Sequence, residues 1–113
     1  MDSKRQIKGE QHNVAGLVQN AIAQTDSQPL NLEAARKSLS YLGNSNPTDE
    51  MVTRYARESA ILHKLAVATG AFGFEKQIGK IDFSTTDNAV ASVNAYLNRR
   101  IQGNRARWTA NHR

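Results

Sequence analysis

The stretch "NPTDEMVTRYARESAILHKLAVATG", residues 46–70, decides how the rest of the chain is read. Asn46 can cap a helix, Pro47 suits its first position, and Asp49 and Glu50 complement the positive end of the helix dipole. The helix predicted from here runs to Gly70, a residue type that commonly ends helices in the left-handed conformation. Its first half is amphipathic through Met51, Val52, Tyr55 and Ala56. Its second half, "AILHKLAVA", is apolar on almost every face, as expected of a central core helix with Leu62 and Leu65 buried.

Upstream, "LNLEAARKSLSYLG" (30–43) reads as a shorter helix capped by Asn31, burying Leu32, Ala35, Leu39 and Leu42 and stopping at Gly43. Before it, "NVAGLVQNAIAQ" (13–24) places Val14, Leu17, Val18, Ala21 and Ile22 on one helical stripe with Asn13 as its cap. Downstream, "GAFGFEKQIGKIDF" (70–83) contains three glycines among its aromatic and branched residues. Two forms fit it: a short β-hairpin over 72–83, or an irregular connector packing its aromatics on the core. A capping box from Ser84 to Asp87 then starts a last helix, with Val90, Val93, Leu97 and Ile101 as its buried stripe and Gly103 as its end. The expectation is a mainly α protein: a bundle of about four helices over 13–102, a flexible segment at 1–12 and an extended basic C-terminal tail at 103–113.

Charge is distributed unevenly along this plan. Residues 1–87 hold ten basic and ten acidic side chains, whereas residues 88–113 hold five arginines and no acid. The whole net charge of +5 therefore belongs to the last quarter of the chain. Such asymmetry points to a polyanionic or acidic partner. The absence of cysteine removes disulfides, thiol catalysis and thiolate metal sites. No apolar run approaches the roughly 18–20 residues of a membrane span, and the first residues lack the apolar stretch of a signal peptide. A cytoplasmic protein, or one carried in a virion, is expected.

Catalytic patterns are missing. "GFEKQIGK" (73–80) resembles a phosphate-binding loop, but it has five residues between its glycines instead of four, and Ile81 stands where the magnesium-binding hydroxyl is needed. His12, His63 and His112 are far apart in sequence, and His63 reads as a partly buried histidine bonded to backbone or solvent. Asp49 and Glu50 are explained by a helix start, and Arg54 lies at i,i+4 spacing from both Glu50 and Glu58. A non-enzymatic protein without cofactor or metal is expected. Residues 30–70 also permit a helix-turn-helix with Thr53, Arg54 and Arg57 on its second helix. Acids at the start of that helix would oppose a phosphate backbone, which favours an ordinary helical hairpin.

The closing stretch "RRIQGNRARWTANHR" (99–113) supplies the functional candidates. Arg99, Arg100, Arg105, Arg107 and Arg113 offer planar forks suited to phosphate, and Trp108 offers an indole on which an unpaired base can stack. The expectation is a nucleic-acid-binding protein, for RNA or DNA, with little sequence specificity. Asn88, Ser92, Asn94, Asn98 and Gln102 could add phosphate or sugar contacts, although a solvated face explains them equally. Two alternatives remain open. The C-terminal segment could be an arm docking on a neighbouring subunit of a homo-oligomer or of a viral or phage particle, since Trp and Arg are enriched at interface hot spots. The protein could also modulate the acidic surface of a host protein.

Overall fold

The computed structural model describes residues 3–111, with side chains described for residues 14–101. Its elements are α1 (Ser3–Asp26), α2 (Leu32–Tyr41), α3 (Asp49–Thr69), a 3-10 helix (Phe72–Gln77) and α4 (Thr86–Asn111). The mainly helical class expected from the sequence is observed. α3 packs on α1 and α2, and the 3-10 helix packs on α3, while α4 lies along α1.

Local chemistry accounts for the element ends, with some shifts from expectation. The Asn31 side chain caps α2 by accepting from the Ala34 N–H at 3.0 Å. α3 is capped two residues later than the Asn46–Pro47 pattern suggests: Thr48, with extended backbone, accepts from the Met51 N–H. With the cap at Thr48, Asp49 and Glu50 fall in the first turn, at the positive end of the helix dipole. At the other end, Gly70 takes the left-handed conformation (φ 72°) and its N–H reaches the Ala66 carbonyl. α4 is capped by Thr85, which accepts from the Asn88 N–H at 3.0 Å, and not by Ser84. Ser84 is engaged elsewhere, donating both its backbone N–H and its hydroxyl to Asp82. These bonds, the hydroxyl first, hold the Asp82 carboxyl below the usual carboxylate range.

Helix α1 begins at Ser3, ten residues before the cap expected at Asn13. The intervening lysine, arginine, glutamine and glutamate are all good helix formers. Helical backbone likewise passes through Gly103 to Asn111. A glycine inside a helix costs only about 1 kcal/mol relative to alanine, too little to stop one whose neighbours favour it.

No strand occurs among the described residues, so the hairpin over 72–83 is not formed. In a strand, Phe72 and Phe74 would share one face. Here Phe74 is fully buried while Phe72 is 70% exposed, because successive residues of a 3-10 helix step by about 120°. Gly79 (φ 80°) then turns the chain again, and the following residues enter the core through Ile81 and Phe83.

The main core joins Val14, Val18 and Ala21 of α1 to Ile61, Leu62, Leu65 and Ala66 of α3, with Phe74, Ile81, Phe83 and the α4 residues Ala89, Val93 and Tyr96. A smaller cluster joins Ala35 and Leu39 of α2 to Val52 and Ala56 of α3. α3 is less enclosed than its composition suggests, since Val67 is 64% exposed and His63 faces outward. The stripe of α4 is rotated from the expected one: Ala89, Val93 and Tyr96 are buried, Val90 and Leu97 are half-buried, and Ile101 is exposed. Leu32 and Leu42 are exposed too, so α2 buries only a narrow seam.

Ion pairs bind the helices across their surfaces. Arg36 of α2 meets Asp49 at the start of α3 at 2.8 Å, and Arg57 of α3 meets Asp26 at the end of α1 at 2.9 Å. Glu58, buried on α3, is paired with Arg54 at 2.8 Å.

Leu62→Ala is expected to cost about 2–5 kcal/mol, the range for a truncated core leucine, read from the midpoint of urea denaturation. An unchanged midpoint would contradict its complete burial. A second outcome concerns pH. The hydrogen bond from Arg57 is the main cause holding the Asp26 carboxyl below its usual range. A depressed folded-state value stabilises the fold above the unfolded value, near pH 4, and this contribution disappears as pH falls through the folded value. The pair is half exposed at Asp26, so solvent screening limits it to about 0.2–1 kcal/mol. The stability difference between the wild type and Asp26→Asn should therefore be present at neutral pH and close on acidification. A gap independent of pH would remove the carboxylate from this account.

Candidate nucleic-acid interface

The described end of α4 is built on a contact between two aromatic rings. Phe74, buried from the 3-10 helix, lies against Tyr96 of α4 with ring centroids 4.8 Å apart and planes tilted by 57°. One helical turn further along α4, Arg100 donates from Nη1 to the Tyr96 hydroxyl at 3.3 Å. Its guanidinium carbon is 5.8 Å from the tyrosine ring centroid, within the range of a cation–π attraction. The spacing of four residues puts Tyr96 and Arg100 on the same side of the helix.

Gly73 makes room for this arrangement. A Cβ at that position would collide with the Tyr96 hydroxyl and lie 2.9 Å from Arg100 Nη1. The glycine therefore serves close approach and not an unusual backbone angle, since its φ is outside the left-handed region. Arg100 has five N–H donors. One is directed at Tyr96, and the side chain as a whole is solvent-exposed, so further donors remain accessible for an external acceptor.

The arginines divide into two groups. Arg36, Arg54 and Arg57 each form an ion pair with a carboxylate. Arg99 and Arg100 are exposed at the end of the described side chains, and neither has a carboxylate partner among the described residues. Of the other expected contacts, Arg105, Arg107 and Trp108 belong to the helical backbone of α4, with side chains outside those described. Arg113 lies outside the described residues. Arg99 and Arg100 are thus the expected contact residues for which the structure supplies an environment.

Other candidates have local structural roles. Asn88 donates to Asp82 and Ser84, and the Ser92 hydroxyl accepts from the Asp82 N–H, so these two α4 residues hold the preceding turn. Arg54 and Arg57, the basic residues of the alternative recognition helix, are committed to Glu58 and Asp26. His63 is not partly buried as expected: its Nδ1 lies 3.2 Å from Glu75, because the 3-10 helix returns across the outer face of α3. The segment that resembles a phosphate loop consists of this 3-10 helix from Gly73 onward and the turn at Gly79. Among the described residues, no three metal-binding side chains converge, and no helix is long and apolar enough to cross a membrane.

Comparison with family models, curated proteins and solved structures finds no match. Phe74, Tyr96 and Gly73 are not among the contact residues expected from the sequence. The i,i+4 spacing of Tyr96 and Arg100 was a usable signal, whereas nothing local to "GAFGF" announces that Gly73 meets α4.

Gly73→Ala tests the packing. Tyr96, whose hydroxyl is the nearest atom, would have to shift, and the Arg100 guanidinium with it, an overpacking cost of about 1–3 kcal/mol. The expected result is a lower denaturation midpoint with a changed chemical shift at the Tyr96 ring. An alanine variant as stable as the wild type, with the same tyrosine signals, would show that the approach is not close.

Proposed function

We propose that this is a non-enzymatic nucleic-acid-binding protein whose surface begins at Arg99 and Arg100 and includes the basic sequence that follows. The observation that supports this reading is the contrast between the arginines. Arg36, Arg54 and Arg57 are paired with carboxylates, while Arg99 and Arg100 have none among the described residues. Sequence extends the same imbalance, with three more arginines and no acid over residues 103–113. Arginine binds phosphate through paired hydrogen bonds, and its electrostatic contribution is insensitive to base sequence. The tyrosine beneath Arg100 restrains the guanidinium before any ligand arrives, which lowers the ordering cost of binding. RNA and DNA both present the required phosphates.

The test is fluorescence anisotropy with a labelled oligouridylate over a range of salt concentrations. Affinity should fall with salt, with a log–log slope of about −0.7 for each contacted phosphate of a single strand. Arg99→Ala with Arg100→Ala should reduce the slope magnitude by up to about 1.4, if each arginine meets one phosphate. Absence of binding at low salt, together with a solution mass that falls when residues 103–113 are removed, would replace this function with subunit assembly.

A further inference from the structure

The sequence places its stacking residue at Trp108, but the folded surface presents a different aromatic beside the described arginines. Phe72 is 70% exposed, although the neighbouring Phe74 is fully buried. The cause is the 3-10 backbone, which sends adjacent aromatics in different directions. Gly73 brings this segment onto α4, with its Cβ position 2.9 Å from Arg100 Nη1. One peptide unit separates Phe72 from Gly73, so the Phe72 backbone lies within about 8 Å of that guanidinium, using the standard spacing between α-carbons.

We infer that Phe72 is a base-stacking platform for unpaired nucleic acid, with Arg100 taking the adjacent phosphate. This inference rests on the proposed function and adds the class of nucleic acid: a single strand or loop. An exposed phenyl ring costs nothing to bare for a ligand and tolerates every base, since each has a π-face. A duplex keeps those faces stacked inside and offers the protein mainly phosphate. The aromatic and the cation are positioned by separate elements, the 3-10 helix and α4. The Phe74–Tyr96 contact and the space at Gly73 hold these elements in register. Residues i and i+3 of a 3-10 helix eclipse, so the side of the helix that carries Phe72 also carries Glu75, which lies 3.2 Å from His63 Nδ1; Lys76 is exposed one step further round.

The experiment compares wild type, Phe72→Ala and Arg100→Ala for binding to labelled oligouridylate, oligothymidylate and a duplex. Phe72→Ala should weaken binding to the single strands by roughly 5- to 150-fold, leaving the salt slope unchanged and duplex binding nearly so. Arg100→Ala should instead lower the slope on all three. Loss with one single strand only would still support the platform and would identify the sugar it prefers. Salt-dependent wild-type binding with no effect of Phe72→Ala would overturn the platform while leaving the proposed function intact. Failure of the wild type to bind any of the three at low salt would overturn both.

A second measurement covers a loss of folding in Phe72→Ala. Phe72→Trp combined with Trp108→Phe leaves one indole, at position 72. Its fluorescence should be quenched by either single strand and not by the duplex. Quenching that follows protein concentration alone would overturn the platform in favour of a contact between copies of the chain.

Discussion

The packing of Phe74 against Tyr96 closes the core and also positions an exposed arginine. Phe74 enters the core from the segment after α3, and Tyr96 closes the same core from α4, so one contact ties elements far apart in sequence. α4 otherwise meets the helical body along α1. The tyrosine is also amphipathic. Its ring faces the core and its hydroxyl lies at the edge, where it accepts from Arg100. Core packing and the position of an exposed cation are thus set by the same side chain.

This arrangement requires glycine beside Phe74. The burial of Phe74 brings the backbone at position 73 against the Tyr96 and Arg100 side chains of α4, and any side chain there would have to displace both. The same geometry exposes Phe72, which an extended strand would have placed on the face of Phe74. One apolar burial therefore determines a close approach, an exposed aromatic and a restrained arginine.

Elsewhere, ion pairs link neighbouring helices at their surfaces. Asp26–Arg57 joins α1 to α3, and Arg36–Asp49 joins α2 to α3. Such partly exposed pairs each contribute little to stability. With Arg54–Glu58 they occupy Arg36, Arg54 and Arg57, whereas the adjacent exposed Arg99 and Arg100 at the described end of α4 have no described carboxylate partner. The contrast between neutral body and basic end is visible in the charge count, but its meaning depends on which arginines find partners.

Periodicity and caps made much of the helical plan legible. The stripe through Val14, Val18 and Ala21, the cap at Asn31, the buried Leu62 and Leu65, and the stop at Gly70 follow from local rules because each involves residues within a turn or two of one another. Helix limits were less legible where two signals competed. Thr48 caps in place of Asn46, and α1 starts ahead of the cap expected at Asn13. The stripe of α4 was shifted because Tyr96, amphipathic and acceptable on either face, is drawn inward by Phe74.

The sequence by itself determined the helical class, the central place of α3 and the basic bias of the last quarter, all of which depend on composition and short-range spacing. Tertiary structure decided that 72–77 coils instead of pairing as a strand, that His63 turns outward to Glu75, and that Gly73 lies against Tyr96 and Arg100. These outcomes depend on contacts between segments remote in sequence. A glycine carries no local sign of the neighbour that will occupy the space where its side chain would be.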